Sequence, residues 1–326
     1  MKHVMKLAGL SLVVAVLVLG IIGCGSDDVS TQTNTTETST DSNTTEYLPV
    51  KVGMLATDDL LPLWVADHDG YLADAGLDVE IITFQSPMES RAAMTAGEID
   101  GLMTDMVVAT QLSAAEGARS VTLMQSAPAG ILASPGSGIT ELSELAGVPI
   151  GCSSPTILEF IVDRALTDAG LSEDQIVFES IEKLPVRLEM LMSDQIKAAA
   201  LPWTLFQLAT QQGAIPILDQ DQAAGYSSTV LVFRDGFLSQ AGARETVVAM
   251  LEQWDRGVES INADPTVYLE LLVEKANLPE PLQANYHFRT YPKSGTPPQG
   301  QFEEIVDWMV SKGYLKESIP FSNLVF

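Results

Sequence analysis

The chain has 326 residues, 17 Lys and Arg against 43 Asp and Glu, a formal net charge of −26 and 46% hydrophobic residues. At roughly 100–200 residues per domain it is long enough for two lobes, and its acidic balance excludes a nucleic-acid binder, because phosphate backbones demand a basic face. Two cysteines exclude a disulfide framework and any cysteine-rich zinc or iron–sulfur site, and 18% charged residues is too few for a disordered polyelectrolyte.

Residues 1–23 read as a secretory signal peptide: Lys2 and Lys6 supply a positive start, and Leu7 to Ile22 form an apolar run too short for a comfortable membrane span. The run ends Ile21-Ile22-Gly23-Cys24, which resembles a bacterial lipobox, where a small residue precedes a cysteine that is acylated and becomes the new N-terminus. Palmitate-type chains on Cys24, at about 0.8 kcal/mol per buried methylene, are expected to hold the protein on the outer face of a membrane. Residues 24–47 then form anchor and tether. Apart from Val29 and the anchor itself, residues 24–46 carry no large apolar side chain, so the stretch cannot repay its ordering entropy.

From Pro49 onward, short apolar runs alternate with helical patterns. Strands are expected at Val50–Leu55, Val79–Phe84 and up to Thr104, with helices at 61–75, 88–96 and 106–116. The same order recurs with strands at Pro149–Cys152, Ile176–Ser180 and Ala198–Leu201 and helices at 155–169, 185–193 and 203–212. Asp74-Ala75-Gly76-Leu77 matches Asp168-Ala169-Gly170-Leu171, a spacing far too long for a solenoid repeat. Strands at Ile215–Leu218 and Thr229–Phe233 follow, then helices at 238–262, 265–276 and 299–312 around a Pro-rich stretch. The implied class is α/β, two lobes each with a mainly parallel sheet flanked by helices, and two hinge crossovers near 128–135 and 219–228. The expected division is 48–132 for the first part of lobe 1, 133–222 for lobe 2 and 223–326 for the second part of lobe 1.

Open parallel sheets bind ligands beyond the carboxyl ends of their strands. In the first lobe those positions hold Thr57, Asp58 and Asp59, then Gln85 and Ser86, then Thr104 and Asp105. In the second they hold Ser153, Ser154 and Thr156, and later Trp203 as a stacking surface. Helix capping accounts equally well for Asp58, Asp105, Ser154 and Thr156, and core packing for Trp203. Carboxylates at Asp58, Asp59, Asp105 and Glu182, with no Lys or Arg in these segments, favour a neutral or cationic ligand. Ser153–Thr156 at a helix N-terminus offers amides for an anion instead, and Arg91 or Arg187 reaching inward would strengthen that alternative.

Val52-Gly53-Met54-Leu55 leads to Pro62-Leu63-Trp64-Val65-Ala66 and Gly70-Tyr71-Leu72. Ala75-Gly76-Leu77-Asp78-Val79-Glu80, Ala96-Gly97-Glu98-Ile99-Asp100, Leu145-Ala146-Gly147-Val148-Pro149-Ile150-Gly151 and Gln195-Ile196-Lys197-Ala198-Ala199 follow, with Leu201-Pro202-Trp203. In order and spacing these segments resemble the solute-binding proteins of ABC transporters in the nitrate, taurine, aliphatic-sulfonate and thiamine-pyrimidine-precursor group. The resemblance implies the two-lobed periplasmic-binding fold and closure of the lobes on a small molecule. It also implies delivery to a permease driven by a cytoplasmic ATPase, with the protein acting as a monomer and needing no cofactor or metal. A neutral or cationic, pyrimidine-like guest is the first expectation and a sulfonate, taurine or nitrate the alternative. A small-molecule enzyme on the same fold is the main rival. Against it stands the lack of a Cys/His or Ser/His/Asp constellation, since past the signal segment only His68 and His287 remain. A metal-binding lipoprotein would want more His or Cys than the strand ends offer.

Overall fold

The computed structural model describes residues 46–117, 119–120, 129–223, 226 and 229–325. The signal segment, Cys24 and the tether up to residue 45 lie outside the described residues.

Val50–Leu55 (β1) leads to Leu61–His68 (α1) and Tyr71–Asp74 (α2), then Val79–Phe84 (β2), Pro87–Ala96 (α3), Gly101–Asp105 (β3), Met106–Glu116 (α4) and the short Arg119–Ser120 (β4). A second series opens with Ala129–Ala133 (β5). It continues as Pro149–Cys152 (β6), Ile157–Asp168 (α5), Val177–Ser180 (β7), Leu184–Met192 (α6), Ala198–Pro202 (β8), Trp203–Gln211 (α7), Ile215–Leu218 (β9) and Gln220–Ala223 (α8). Thr229–Phe233 (β10) precedes Asp235–Leu238 (α9), Ala243–Ala263 (α10), Leu269–Ala276 (α11), Glu280–Gln283 (α12) and Gln299–Ser311 (α13).

The strands build two five-stranded sheets on one plan, β2-β1-β3-β10-β4 and β7-β6-β8-β5-β9. In the first, β1 runs parallel to β2 and β3, while β10 is antiparallel to β3 and β4. In the second, β6 runs parallel to β7 and β8, while β5 is antiparallel to β8 and β9. Each sheet is therefore mainly parallel, and its one antiparallel strand is the first that the chain forms after crossing from the other sheet. Parallel neighbours need long crossovers, which the intervening helices supply. The fold is the expected two-lobed α/β architecture with two crossings.

The matched tetrapeptides close equivalent helices. Gly76 and Gly170 sit at φ +73° and +91°, and the next N–H reaches back in each case, from Leu77 to Leu72 O at 2.9 Å and from Leu171 to Leu166 O at 3.0 Å. This is the left-handed glycine stop, with a buried leucine just beyond it.

Some boundaries differ from those read in the sequence. The helix expected over 61–75 is two pieces, because Gly70 at φ +80° turns the chain between α1 and α2. The first crossing, expected within 128–135, is over by Ala129: Ala129–Ala133 is wholly buried between β8 and β9. Of the closing segment, β10 joins the first sheet, and α10 and α11 pack on α1. Helix α13 lies instead against both α4 and α5. Trp308 meets Phe160 edge-on at 5.3 Å and donates from Nε1 to Asp163 Oδ2 at 3.0 Å. Lys312 and Arg164 add ion pairs to Asp163 at 3.0 Å and to Glu304 at 2.9 Å. One continuous apolar cluster thus joins α4, α5 and α13.

Candidate ligand-binding cleft

The carboxyl ends of β1 and β3 in one sheet and of β6 and β8 in the other face a common cavity. It encloses about 710 Å³ of atom-free space, solvent at its mouth included. Met54, Leu55 and Met103 line it from the first lobe, and Ala129, Ile157 and Leu184 from the second. The polar groups on this apolar lining are few: Thr57, Asp59, Ser90, Thr104, Asp105 and Thr229 on one wall, Ser153 and Thr156 on the other.

Six of the residues picked out in sequence therefore converge here: Thr57, Asp59, Thr104, Asp105, Ser153 and Thr156. Several also hold their own helices. Asp105 caps α4 by accepting from Val108 N at 2.9 Å, and Thr156 caps α5 by accepting from Leu158 N at 3.3 Å. The Thr156 hydroxyl proton goes to Ser153 O at 2.8 Å, and that of Thr57 goes to Asp59 Oδ2 at 2.7 Å. Burial pushes the Asp105 carboxyl up to about 6, against the downward pull of the N–H groups of Val108 and of Ile157 from the opposite lobe.

The other five stand elsewhere. Asp58 is 2% exposed and is not among the residues that line the cavity. Its Oδ2 pairs with Arg289 Nε at 3.0 Å, its Oδ1 accepts from Thr204 Oγ1 at 3.3 Å, and its carbonyl accepts from Tyr291 OH at 2.8 Å. Gln85 borders an adjoining groove with Leu205 and Pro279, which shares Thr57 and Leu184 with the cavity. Ser86 is fully buried and caps α3, accepting from Glu89 N at 3.2 Å. Ser154 is engaged beside Cys152 and Glu182, the latter accepting from its N–H at 3.3 Å. Trp203 is stacked on Phe206 at 5.6 Å and donates to His287 O at 3.1 Å, so its indole face meets protein and lines no part of the cavity.

Three residues that the strand-end search passed over complete the electrostatics. Arg289 reaches Asp59 as well as Asp58, with Nη2 to Oδ1 at 2.8 Å. Burial works against its charge, but the carboxylates of Asp58 and Asp59 raise its pKa above the ordinary guanidinium value. The Asp58–Asp59 pair is thus matched by a cation, and the surplus of acid expected in the cleft shrinks to Asp105 and a shared Asp59, whose own pKa burial raises. Arg187 is fully buried behind the opposite wall. It donates from Nε to Ile181 O at 2.9 Å, from Nη1 to Ala200 O at 2.9 Å, and from Nη2 to Ser153 Oγ. It makes no ion pair among the described residues, and burial pushes its pKa down to about 10. Thr229 is the register partner of Asp105 across β10 and β3. Its hydroxyl is buried and has no hydrogen-bond partner among the described residues.

Cys152 is buried at the end of β6, and burial pushes its thiol up to about 12, far from a thiolate nucleophile. His68 is engaged with Asp69 at 2.8 Å on the surface. Among the described residues no three His, Cys, Asp or Glu side chains are grouped to hold a metal ion, and no helix is long and apolar enough to cross a membrane.

Residues 57–267 match the model of the family described as NMT1/THI5 like. No curated protein matches the chain. Among solved structures, the alkanesulfonate-binding protein SsuA from Xanthomonas axonopodis pv. citri, bound to MOPS, superposes with a TM-score of 0.71 at 15% identity, over 86% of this chain and 99% of that one. The periplasmic nitrate-binding protein NrtA from Synechocystis PCC 6803 gives 0.69 at 13% identity, over 85% and 84%. The ligand-binding component of an ABC-type import system from Staphylococcus aureus gives 0.69 at 14% identity, over 85% and 96%. At these identities the likeness is one of fold, that of the periplasmic binding proteins.

Proposed function

From the premise that the chain belongs to the NMT1/THI5 like family, we propose that it is the extracytoplasmic solute-binding component of an ABC import system. It captures a small organic molecule between its lobes and presents the closed form to a permease coupled to a cytoplasmic ATPase. The observation that carries this reading is the cavity itself. Both sheets aim their carboxyl strand ends at it, and each lobe contributes part of the polar lining, so a bound solute bridges the lobes and favours the closed state.

The protein is a binder in this reading and performs no chemistry on its guest. The one described cysteine is buried with its thiol held protonated. His287 is engaged through its backbone, its N–H donating to Gln207 Oε1 at 2.9 Å and its carbonyl accepting from Trp203. The guest is organic and nitrogenous, with Asp105 and Asp59 facing its donors. A simple anion is the second reading, favoured by Arg187 behind Ser153 and by the sulfonate and nitrate named for the structural relatives. Acylation at Cys24 anchors the protein outside the membrane, with residues 25–47 as tether and the body monomeric.

Thermal-shift screening of the purified protein with pyrimidines, amines, amino acids, sulfonates and nitrate tests the function. Stabilisation by one class identifies the guest, stabilisation by nitrate or simple sulfonates alone selects the second reading, and no shift with any class counts against a solute-binding role. Cys24→Ala tests the anchor: the variant is expected in the soluble fraction, and its retention in membranes refutes the acylation.

A further inference from the structure

The two walls of the cavity differ in what their polar groups have left to offer. On the second lobe, the oxygen of Ser153 already accepts from Arg187 Nη2. The Ser153 carbonyl takes the Thr156 proton. No described acceptor takes the Ser153 hydroxyl proton, and Ser153 lines the cavity. A hydroxyl whose lone pair is occupied by a guanidinium donates its own proton elsewhere. It also becomes a better donor, because the buried charge polarises it at low dielectric. Arg187 makes no ion pair among the described residues, and the Glu182 carboxylate, acting on it through space, raises its pKa less than burial lowers it. The second wall therefore offers a cation-backed donor.

On the first lobe, Thr229 is 4% exposed, lines the cavity and has no hydrogen-bond partner among the described residues. A buried hydroxyl left so costs free energy that a polar guest recovers. Strand register places it opposite Asp105, whose carboxylate lines the same wall. Together they form an acceptor-rich patch. Between the two walls the lining is aliphatic, with Met54, Met103, Ile157 and Leu184.

Resting on the solute-binding reading, we propose that Ser153, polarised by Arg187, and Thr229 with Asp105 read opposite ends of one guest: a hydrogen-bond-accepting group on the second lobe and a donating group on the first, separated by a short apolar body. Ser153 and Thr229 are contact residues. Arg187 is a positioning residue, acting only through Ser153.

Linear ω-amino carboxylates and ω-amino sulfonates of two to six carbons, each with its parent acid and parent amine, test this by titration calorimetry. The wild-type chain is expected to bind at least one bifunctional compound at least tenfold more tightly than either parent. Ser153→Ala is expected to abolish its preference over the parent amine while keeping its preference over the parent acid, with a lowered melting temperature because Arg187 Nη2 loses an acceptor. Thr229→Val is expected to do the reverse with an unchanged melting temperature. Arg187→Lys is expected to reduce the same preference as Ser153→Ala. Should Arg187→Lys fail to fold, Ser153→Ala decides the matter alone. A parent compound binding as tightly as its bifunctional partner, or a Ser153→Ala variant that weakens all three equally or none, overturns the inference. If no member of the series binds while the broad screen finds another solute, this inference fails and the solute-binding reading stands. If both screens are blank, the reading itself fails.

Discussion

Arg289 closes on Asp58 with its Nε 3.0 Å from Oδ2, across 231 residues of chain and with both side chains almost out of solvent. The same guanidinium reaches Asp59 at 2.8 Å and lies over the ring of Tyr291 at 4.5 Å. The segment after α12 is thereby pinned to the loop that follows β1. Breaking a buried pair from one side leaves uncompensated charge and costs about 3–5 kcal/mol. Arg289→Met leaves two adjacent carboxylates facing each other, so urea denaturation is expected to show a loss of that size. A loss below about 1 kcal/mol means that the two acids find other partners.

Trp203 was expected to offer its face to a guest. Its Nε1 is committed to His287 O at 3.1 Å and its ring to Phe206, which Gln207 reinforces by accepting from His287 N at 2.9 Å. Trp203→Ala is expected to lower stability by about 1–3 kcal/mol, because it removes a half-buried aromatic and one hydrogen bond. Affinity for whichever solute the screen identifies is expected to stay within about twofold. A tenfold loss of affinity at unchanged stability returns the indole to the cleft.

Strands and glycine-stopped helices were legible in the sequence because their signals are local. Val50–Leu55, Met106–Glu116, Pro149–Cys152, Ile215–Leu218 and Thr229–Phe233 match their expected bounds. Residues just past a strand end were legible for the same reason, which is how Asp59, Asp105, Ser153 and Thr156 were found. Residues that reach the site from elsewhere carried no such mark. Arg289 arrives from a Pro-rich stretch, and Arg187, named with Arg91 as a residue able to reach inward, sits on a helix whose pattern does not say which of the two does so. Thr229 is an ordinary β-branched strand residue until its register against Asp105 is known. Ala129–Ala133 was placed within the expected crossover between Pro128 and Pro135, yet its short apolar run, AGILA, suits a strand buried on both faces.

Helix α13 bolts together elements that the two sheets position separately. Trp308 is 6% exposed, its ring lies 5.3 Å from Phe160, and its Nε1 donates to Asp163 Oδ2. Trp308→Ala is expected to cost about 3–5 kcal/mol by opening a cavity. Trp308→Phe keeps most of the volume and loses the hydrogen bond, and Lys312 remains 3.0 Å from Asp163 to compensate it, so about 1 kcal/mol is expected. Chemical denaturation of the pair separates packing from bonding; equal losses assign the effect to the hydrogen bond.

Asp105 gives the protein a measurable pH dependence whose sign follows from burial. Its carboxyl stands at about 6 in the fold against 3.8 when exposed. Between those values the native state holds more protons than the unfolded chain, so stability falls as pH rises through the window, and the loss is complete above it. A shift of this size corresponds to at most about 3 kcal/mol, and solvent at the cavity mouth reduces it to about 1–2 kcal/mol. Asp105→Asn keeps a good cap for α4 and carries no charge. The difference in unfolding free energy between Asp105→Asn and wild type, which cancels every other titrating group, is expected to grow in favour of the variant from about pH 4 to about pH 7. A difference that stays flat across that range places Asp105 in contact with enough water or donors to ionise freely. The cleft would then present a full negative charge to its guest at every pH tested.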